Sequence, residues 1–339
     1  MRNSIYRQIR QAVVRILTVV VLILLGVWWY IAQPNLSSSE PVLLEVHETR
    51  MIRSVRTLSE DFHPRSFSDL KNLKLTADYI DKHFKQAGGT VIRQAFEVSG
   101  RTYDNIIARF GNITGPSLII GAHYDAHCNT PGADDNASGV AGLIELAYLF
   151  QRHPPSYGCV ELAAYCLEEP PYFASSHMGS YHHAQEVADN NQQVVGMLCL
   201  EMIGYFSDAP NSQHYPSTAF ELLYPNTGNF IAVIGKLDQR AFTERTKIAM
   251  KGATPLPIYS VNAPRLIPGI DFSDHRNFWE TGHQAVMITD TAFYRNAAYH
   301  KDNDTWDRLD YKRMGQTIIA VYNAAQQLLE EAQLSRQGI

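Results

Sequence analysis

The sequence predicts an α/β fold: a three-layer α/β/α arrangement around a mostly parallel mixed sheet, preceded by one N-terminal transmembrane helix. Three observations predict it. Short apolar runs bounded by glycine and proline alternate with segments of helical periodicity, a pattern that gives a largely parallel sheet covered on both faces. Acidic and imidazole side chains recur where those runs end, which is where such sheets build their sites. Near the start, Ile16 to Ala32 form an uncharged run of 17 residues.

That run comes first in the chain. At about 1.5 Å per residue it makes a helix of roughly 25 Å, the short end for a bilayer, and Ala12 to Val14 extend it if Arg15 snorkels. Trp28, Trp29 and Tyr30 stand at its far end, as interfacial aromatics do. Arg2, Arg7, Arg10 and Arg15 precede or open it with no acid among them. The positive-inside rule then places the N-terminus in the cytoplasm and the rest outside, periplasmic or extracellular. Bulky aromatics occupy the place of a small-x-small cleavage site, so the segment reads as an uncleaved signal-anchor rather than a removable signal peptide. The expected organisation is a basic stub and anchor over 1–33, a polar linker over 34–48, and one domain over 49–335.

Within that domain, Leu70, Leu73, Ala77, Ile80 and Phe84 share a helical face, and Gly88-Gly89 stops the helix. NIIARF (105–110) and SLIIGA (117–122) read as buried strands. A helix follows over 138–151, a strand over 160–167, a helix from about 175 to 189 and a strand over 194–200. FIAVIG (230–235), a helix near 239–250, PIYSV (257–261), AVMITD (285–290) and a closing helix after Asp310 complete the series. Residues 206–229, rich in Pro, Asn, Ser and Tyr, read as a rim or lid.

Composition narrows the function. Basic residues number 29 against 34 acidic, a net charge of −5, which excludes a general nucleic-acid binder. Four cysteines in 339 residues exclude a disulfide-built scaffold. Cys166 and Cys199 sit on predicted buried strands as free thiols, and Cys128 has no evident partner. Asn35 and Asn112 begin sequons of a pattern common by chance.

The chemistry lies after the strands. His123-Tyr124-Asp125 follow SLIIGA, GADDNASG (132–139) opens a helix, Glu168-Glu169 follow VELAAYCL, Glu201 follows VVGMLCL, and His300 comes after AVMITD. Imidazole and carboxylate donors suit zinc, and cobalt or manganese would fit the same set. A pair of ions needs a bridging carboxylate and terminal ligands, and His123, Asp135, Glu169, Glu201 and His300 supply both. Glu168, beside a ligand, suits a general base. Asp125, two residues past His123, suits the acceptor that fixes its tautomer.

HYD, GADDNASG, EE, LEMIGY and YHKDNDT, in this order, resemble the co-catalytic di-zinc exopeptidases: bacterial leucyl aminopeptidases and aminopeptidase Y, with glutaminyl cyclases as relatives. The resemblance covers roughly residues 50–330. It implies a phosphorylase/hydrolase-like fold and two Zn²⁺. His123 would be a terminal ligand, Asp135 the bridge, Glu168 the base, and Glu169, Glu201 and His300 the remaining ligands. It further implies a metallo-aminopeptidase acting on peptides with a free N-terminus, using a metal-bound water. The sequence departs from many relatives at Pro170-Pro171, which stiffen the loop after the base. The rivals are a glutaminyl-peptide cyclase, disfavoured by His123, and an inactive receptor-like ectodomain, disfavoured because no ligand is missing.

Neighbouring groups are read more plainly. Asp134 caps the following helix or braces the loop. His127, His182 and His183 take surface or packing roles. Asp274 and His275, in SDHRNFW (273–279), are structural or support a ligand. Tyr294 is a candidate oxyanion donor and Arg295 a candidate substrate-orienting residue. Neither oligomeric state nor side-chain preference is set by the sequence.

Overall fold

The computed structural model describes residues 2–34 and 37–337. In chain order the helices and strands are α1 (Arg2–Ala32), α2 (Glu48–Arg56), α3 (Leu70–Gln86), β1 (Thr90–Val98), β2 (Arg101–Gly111), β3 (Ser117–His123), α4 (Gly139–Arg152), β4 (Cys159–Tyr165) and α5 (Gly179–Asp189). Then follow β5 (Val194–Glu201), α6 (Thr218–Glu221), β6 (Ile231–Gly235), α7 (Arg240–Met250), β7 (Ile258–Asn262), α8 (His275–Glu280), β8 (Ala285–Thr289) and α9 (Tyr311–Gln337). The expected helices and strands form with shifts of a few residues. β1, α2, α6 and α8 have no counterpart among the expected elements.

The strands make one eight-stranded sheet in the order β1-β2-β4-β3-β5-β8-β6-β7. β3 pairs in parallel with both β4 and β5, and β5 with β8. β1–β2, β2–β4 and β6–β8 are antiparallel, so the sheet is mixed. The chain leaves β3 for β4 on one side and returns to β5 on the other. That reversal opens a crevice at the carboxyl ends of β3 and β5, the place where open α/β sheets bind ligands.

β3 is buried along its whole length because both faces are covered. Leu118, Ile120 and Ala122 face a core shared with α3, α4, α7 and α9. Ile119 faces a second core built with Ala184 and Val187 of α5 and Phe278 and Trp279 of α8. Gly121 must lack a side chain, since a Cβ there would run into the Tyr165 ring and come within 2.9 Å of Met197.

From Tyr6 to Ala32, α1 is long and apolar enough to cross a membrane and is not packed inside the protein. Its last residues are docked on the domain. Lys247 Nζ donates to the carbonyls of Ala32 (3.0 Å) and Gln33 (2.7 Å), and Ser260 Oγ also donates to Ala32 (3.1 Å). Burial pulls the Lys247 ammonium down to about 8. Past Asn35 and Leu36, which lie outside the described residues, the expected linker runs along the domain. Ser39 N–H donates to Lys251 O (2.7 Å) and Val42 N–H to Ala253 O (2.9 Å). Asn112 is on an exposed turn. All four cysteines are free.

Candidate metal centre

Each chemically distinctive side chain stands where a strand ends and the chain turns sharply. His123 closes β3, Glu201 closes β5, Glu168-Glu169 follow β4, and His300 lies in the loop after β8. The backbone is left-handed at Leu167 (φ 64°), Met202 (φ 50°) and His300 (φ 55°). A non-glycine residue so placed costs on the order of 1–3 kcal/mol and persists only where its surroundings hold it. Here each such residue aims a functional group or adjoins one.

Asp135 is central. Its Oδ1 lies 3.3 Å from His123 Nε2, and its Oδ2 lies 3.1 Å from His300 Nε2. Glu201 Oε2 completes the first group at 3.4 Å from His123 Nε2, and Glu169 Oε2 the second at 3.3 Å from His300 Nε2. Glu168 Oε2 is 3.9 Å from His123 Nε2, between the two. The five expected ligands and the expected base therefore converge, with Asp135 facing both groups.

The surrounding hydrogen bonds aim these donors. His123 Nδ1 is 3.1 Å from the Asp125 backbone oxygen, nearer than the Asp125 carboxylate at 3.5 Å. The main-chain oxygen therefore fixes the tautomer and leaves the Nε2 lone pair for the site. The Asp125 carboxylate instead accepts the N–H groups of Glu168 (3.2 Å) and Glu169 (3.1 Å), fastening the turn after β4 to the end of β3. Ser273 Oγ donates to Glu201 Oε2 at 2.7 Å. Asp304 accepts the N–H groups of Asp134 (3.1 Å) and Asp135 (3.1 Å), joining the loop before α4 to the His300 loop. Asp134 braces rather than caps: its carboxylate accepts Gly204 N–H (3.0 Å) and Asn296 Nδ2 (2.8 Å). Asp274 is buried beneath the site and His275 is bonded to Ile270 O at 2.8 Å. Gly132 turns the loop with φ 59°, and a Cβ there would strike the Asp135 carbonyl.

Burial pushes Glu168 well above the usual carboxylate range. Glu201 and Glu169 add to that push, and His123 opposes it. Burial would lower His300, but Asp135 and Glu169 outweigh it and raise the imidazole to about 10. The same contest raises His123. Asp135 is held below its usual value because hydrogen bonds from His123 and His300 outweigh its burial. Four carboxylates thus crowd around two imidazoles, and Glu169 Oε1 is buried without a partner. This oxygen-and-imidazole donor set fits a borderline divalent cation such as zinc. Two groups of coordinating atoms are close enough to hold one: His123, Asp135 and Glu201, and His127, Glu169 and His300.

His127 packs as expected, its ring stacked on His300 at 4.0 Å and 3°, and it also joins the second group, with Nδ1 3.5 Å from Glu169 Oε2. The H-x-D-x-H spacing from His123 was the available signal for that proximity. The expectation for Arg295 is corrected. It is buried against Phe230 and Phe206, and it donates to Gln213 Oε1 (2.9 Å), Tyr205 O (3.3 Å) and Phe230 O (2.9 Å). It therefore braces loops and does not reach into the cleft. Tyr294 does line the cleft, but its hydroxyl donates to Pro268 O at 3.1 Å. Arg65, absent from the sequence reading, is buried behind the 124–132 turn.

Beside the centre opens an apolar cleft of about 840 Å³, walled by Phe220, Phe230, Tyr259, Phe272 and Phe293 and bounded by Glu201. Its rim includes Gln213 to Pro216, from the 206–229 segment.

Carboxylates and imidazoles thus converge at the strand ends of a mixed sheet, beside an apolar cleft, in an arrangement able to hold divalent cations. The chain belongs to peptidase family M28, whose profile matches residues 105–325. It is 47% identical over 277 residues to YfbL of Escherichia coli K12, itself uncharacterised, covering 79% of this chain and 84% of that one. Two solved structures share the fold. The LapA aminopeptidase of Legionella pneumophila has a TM-score of 0.65 at 20% identity, over 84% of this chain and 72% of that one. A glutaminyl cyclase of Bacteroides thetaiotaomicron has a TM-score of 0.63 at 15% identity, over 84% and 98%.

Proposed function

We propose that the protein is a membrane-anchored, zinc-dependent aminopeptidase that removes large apolar residues from the N-terminus of peptides. The observation that carries this reading is the placement of Asp135 between two ligand groups, with Glu168 beside it, at the mouth of the cleft. Two zinc ions, held by His123, Asp135 and Glu201 and by Asp135, Glu169 and His300, would supply a Lewis acid for the scissile carbonyl and acidify the attacking water.

The chain's own residues do the rest. Glu168 takes a proton from the attacking water as its oxygen adds to the carbonyl carbon. It returns that proton to the departing nitrogen as the C–N bond breaks. Asp125 keeps Glu168 in place through the Glu168 N–H. The aromatic walls receive the first side chain and exclude water from it.

For α1, the four arginines at or before its start and the aromatics at its end support a single-pass anchor with the domain outside the cytoplasm. Its docked end supports a catalytic domain held close to the bilayer.

The test is hydrolysis of phenylalanyl- and leucyl-p-nitroanilide by the zinc-loaded full chain in detergent, beside their N-acetylated forms. Cleavage of the free-amine substrates alone is expected. Equal cleavage of acetylated ones, or cyclisation of N-terminal glutamine without peptidase activity, overturns the reading.

A further inference from the structure

The geometry points to His127 as an additional ligand of the cation held by Asp135, Glu169 and His300, binding through Nδ1. The inference rests on the proposed reading of the centre as a cation site and extends it by a residue.

Three observations carry it. First, His127 is held in place by its own turn. Thr130 donates to its carbonyl from both N–H (3.0 Å) and Oγ1 (2.7 Å), and His63 Nε2 meets Asn129 O at 2.7 Å. Second, His127 Nδ1 and His300 Nε2 lie 3.5 Å and 3.3 Å from the same Glu169 Oε2, and a cation shared by the two in-plane lone pairs requires one ring to tilt out of the 4.0 Å stack. Coordinating atoms of His127, Glu169 and His300 all lie within 4.8 Å of one another. Third, His127 Nδ1 and Glu169 Oε1 are both buried without a hydrogen-bond partner, although the His127 side chain as a whole is 26% exposed. A buried polar atom left unmet is costly. A divalent cation on this side of Glu169 would satisfy both atoms.

The consequence is an asymmetric centre. The His123 group has one imidazole, whereas the His300 group would have two, and nitrogen donors strengthen the hold on borderline cations.

Stacking alone is the competing account, and side-chain replacement separates the two. His127→Phe keeps a ring against His300 and removes the nitrogen. His127→Asn removes the ring but sets an amide oxygen close to the position of Nδ1. Zinc binding to the full chain is read by competition with a chromophoric chelator and by elemental analysis after dialysis. A Co²⁺ absorption spectrum reports the ligand set independently of activity. Loss of a supporting residue costs 10–100-fold in metal affinity, so loss of a direct ligand should weaken one of two sites by about 100-fold or more. The expected result is that loss in His127→Phe, a changed Co²⁺ spectrum, and partial recovery in His127→Asn. Wild-type affinity at both sites in His127→Phe overturns the inference and leaves the proposed function standing. Failure of the wild-type chain to bind any divalent cation overturns both.

Discussion

Replacing Arg65 with Met should destabilise the protein by about 3–5 kcal/mol, the loss of four hydrogen bonds made by one buried guanidinium. The magnitude follows from its partners. Arg65 is one of the largest side chains fully buried. Its Nε donates to Tyr124 O (3.1 Å), Nη1 to Pro131 O (2.9 Å) and to Leu58 O, and Nη2 to Gly132 O (2.9 Å). One guanidinium thus joins both ends of the turn between His123 and Asp135 to the segment after α2. Met fills much of the volume and donates nothing, so four carbonyls lose their donor. At roughly 1 kcal/mol net for each bond, the sum agrees with the range above. Burial already pulls Arg65 down to about 10, against the carboxylates of Asp125, Asp304, Asp135 and Glu169, so part of the loss is offset by relieved desolvation. The assay is thermal unfolding of the zinc-loaded full chain. A drop of roughly 10 °C is expected, at about 2–4 °C per kcal/mol for a large domain. Arg65→Lys should fail to rescue, because one ammonium cannot span carbonyls placed for a planar fork. A Met variant within about 1 kcal/mol of wild type would refute the argument that this guanidinium fixes the turn.

Two further outcomes follow from the site. Ser273→Ala removes the 2.7 Å donor to Glu201 Oε2 and should weaken zinc binding by about 10–100-fold without unfolding the chain; chelator competition measures it, and unchanged affinity would show that Glu201 needs no such support. Burial lifts Asp274, Asp290 and Asp304 to about 7, so in the cation-free protein their contribution is present at acid pH and lost as pH rises through 7. His300, raised to about 10 by carboxylates that outweigh its burial, contributes below pH 6.5 and loses that contribution as pH rises through 10. Both signs agree; a bound cation reverses that of His300 by requiring the deprotonated ring, while the three aspartates act alike in both forms. The Tm gap between zinc-loaded and chelated protein should therefore widen from pH 6 to pH 9, and a constant or shrinking gap would contradict the assignment.

The ligands were legible because a parallel sheet displays its chemistry at strand ends, and His123, Glu168 and Glu201 follow directly on apolar runs whose limits the sequence marks. His300 was placed less directly, as a donor after the last core strand, since 10 residues separate it from β8, and the resemblance strengthened its place as the last ligand. The place of His127 beside the second ligand group left no sign, because a lone imidazole on a loop has no periodicity and only the folded turn brings it over His300. Arg65 left no pattern at all: its role depends on carbonyls brought together from three separate stretches. Arg295 was misread in the opposite sense. A charge near the site suggested substrate, but its guanidinium is committed to main-chain oxygens. In the sheet, β1 escaped notice because it is an edge strand with little burial, and the antiparallel β6–β8 pairing depends on crossovers that local sequence does not record.

The most direct test of the account compares zinc-loaded wild type with Glu168→Gln on leucyl-p-nitroanilide, with bound zinc quantified in both. Glu168 Oε2 lies 3.9 Å from His123 Nε2 and belongs to neither ligand group. The account predicts a kcat lower by about 10²–10⁴-fold in the variant, with zinc content unchanged. A fully zinc-loaded Glu168→Gln enzyme that keeps wild-type kcat would contradict it.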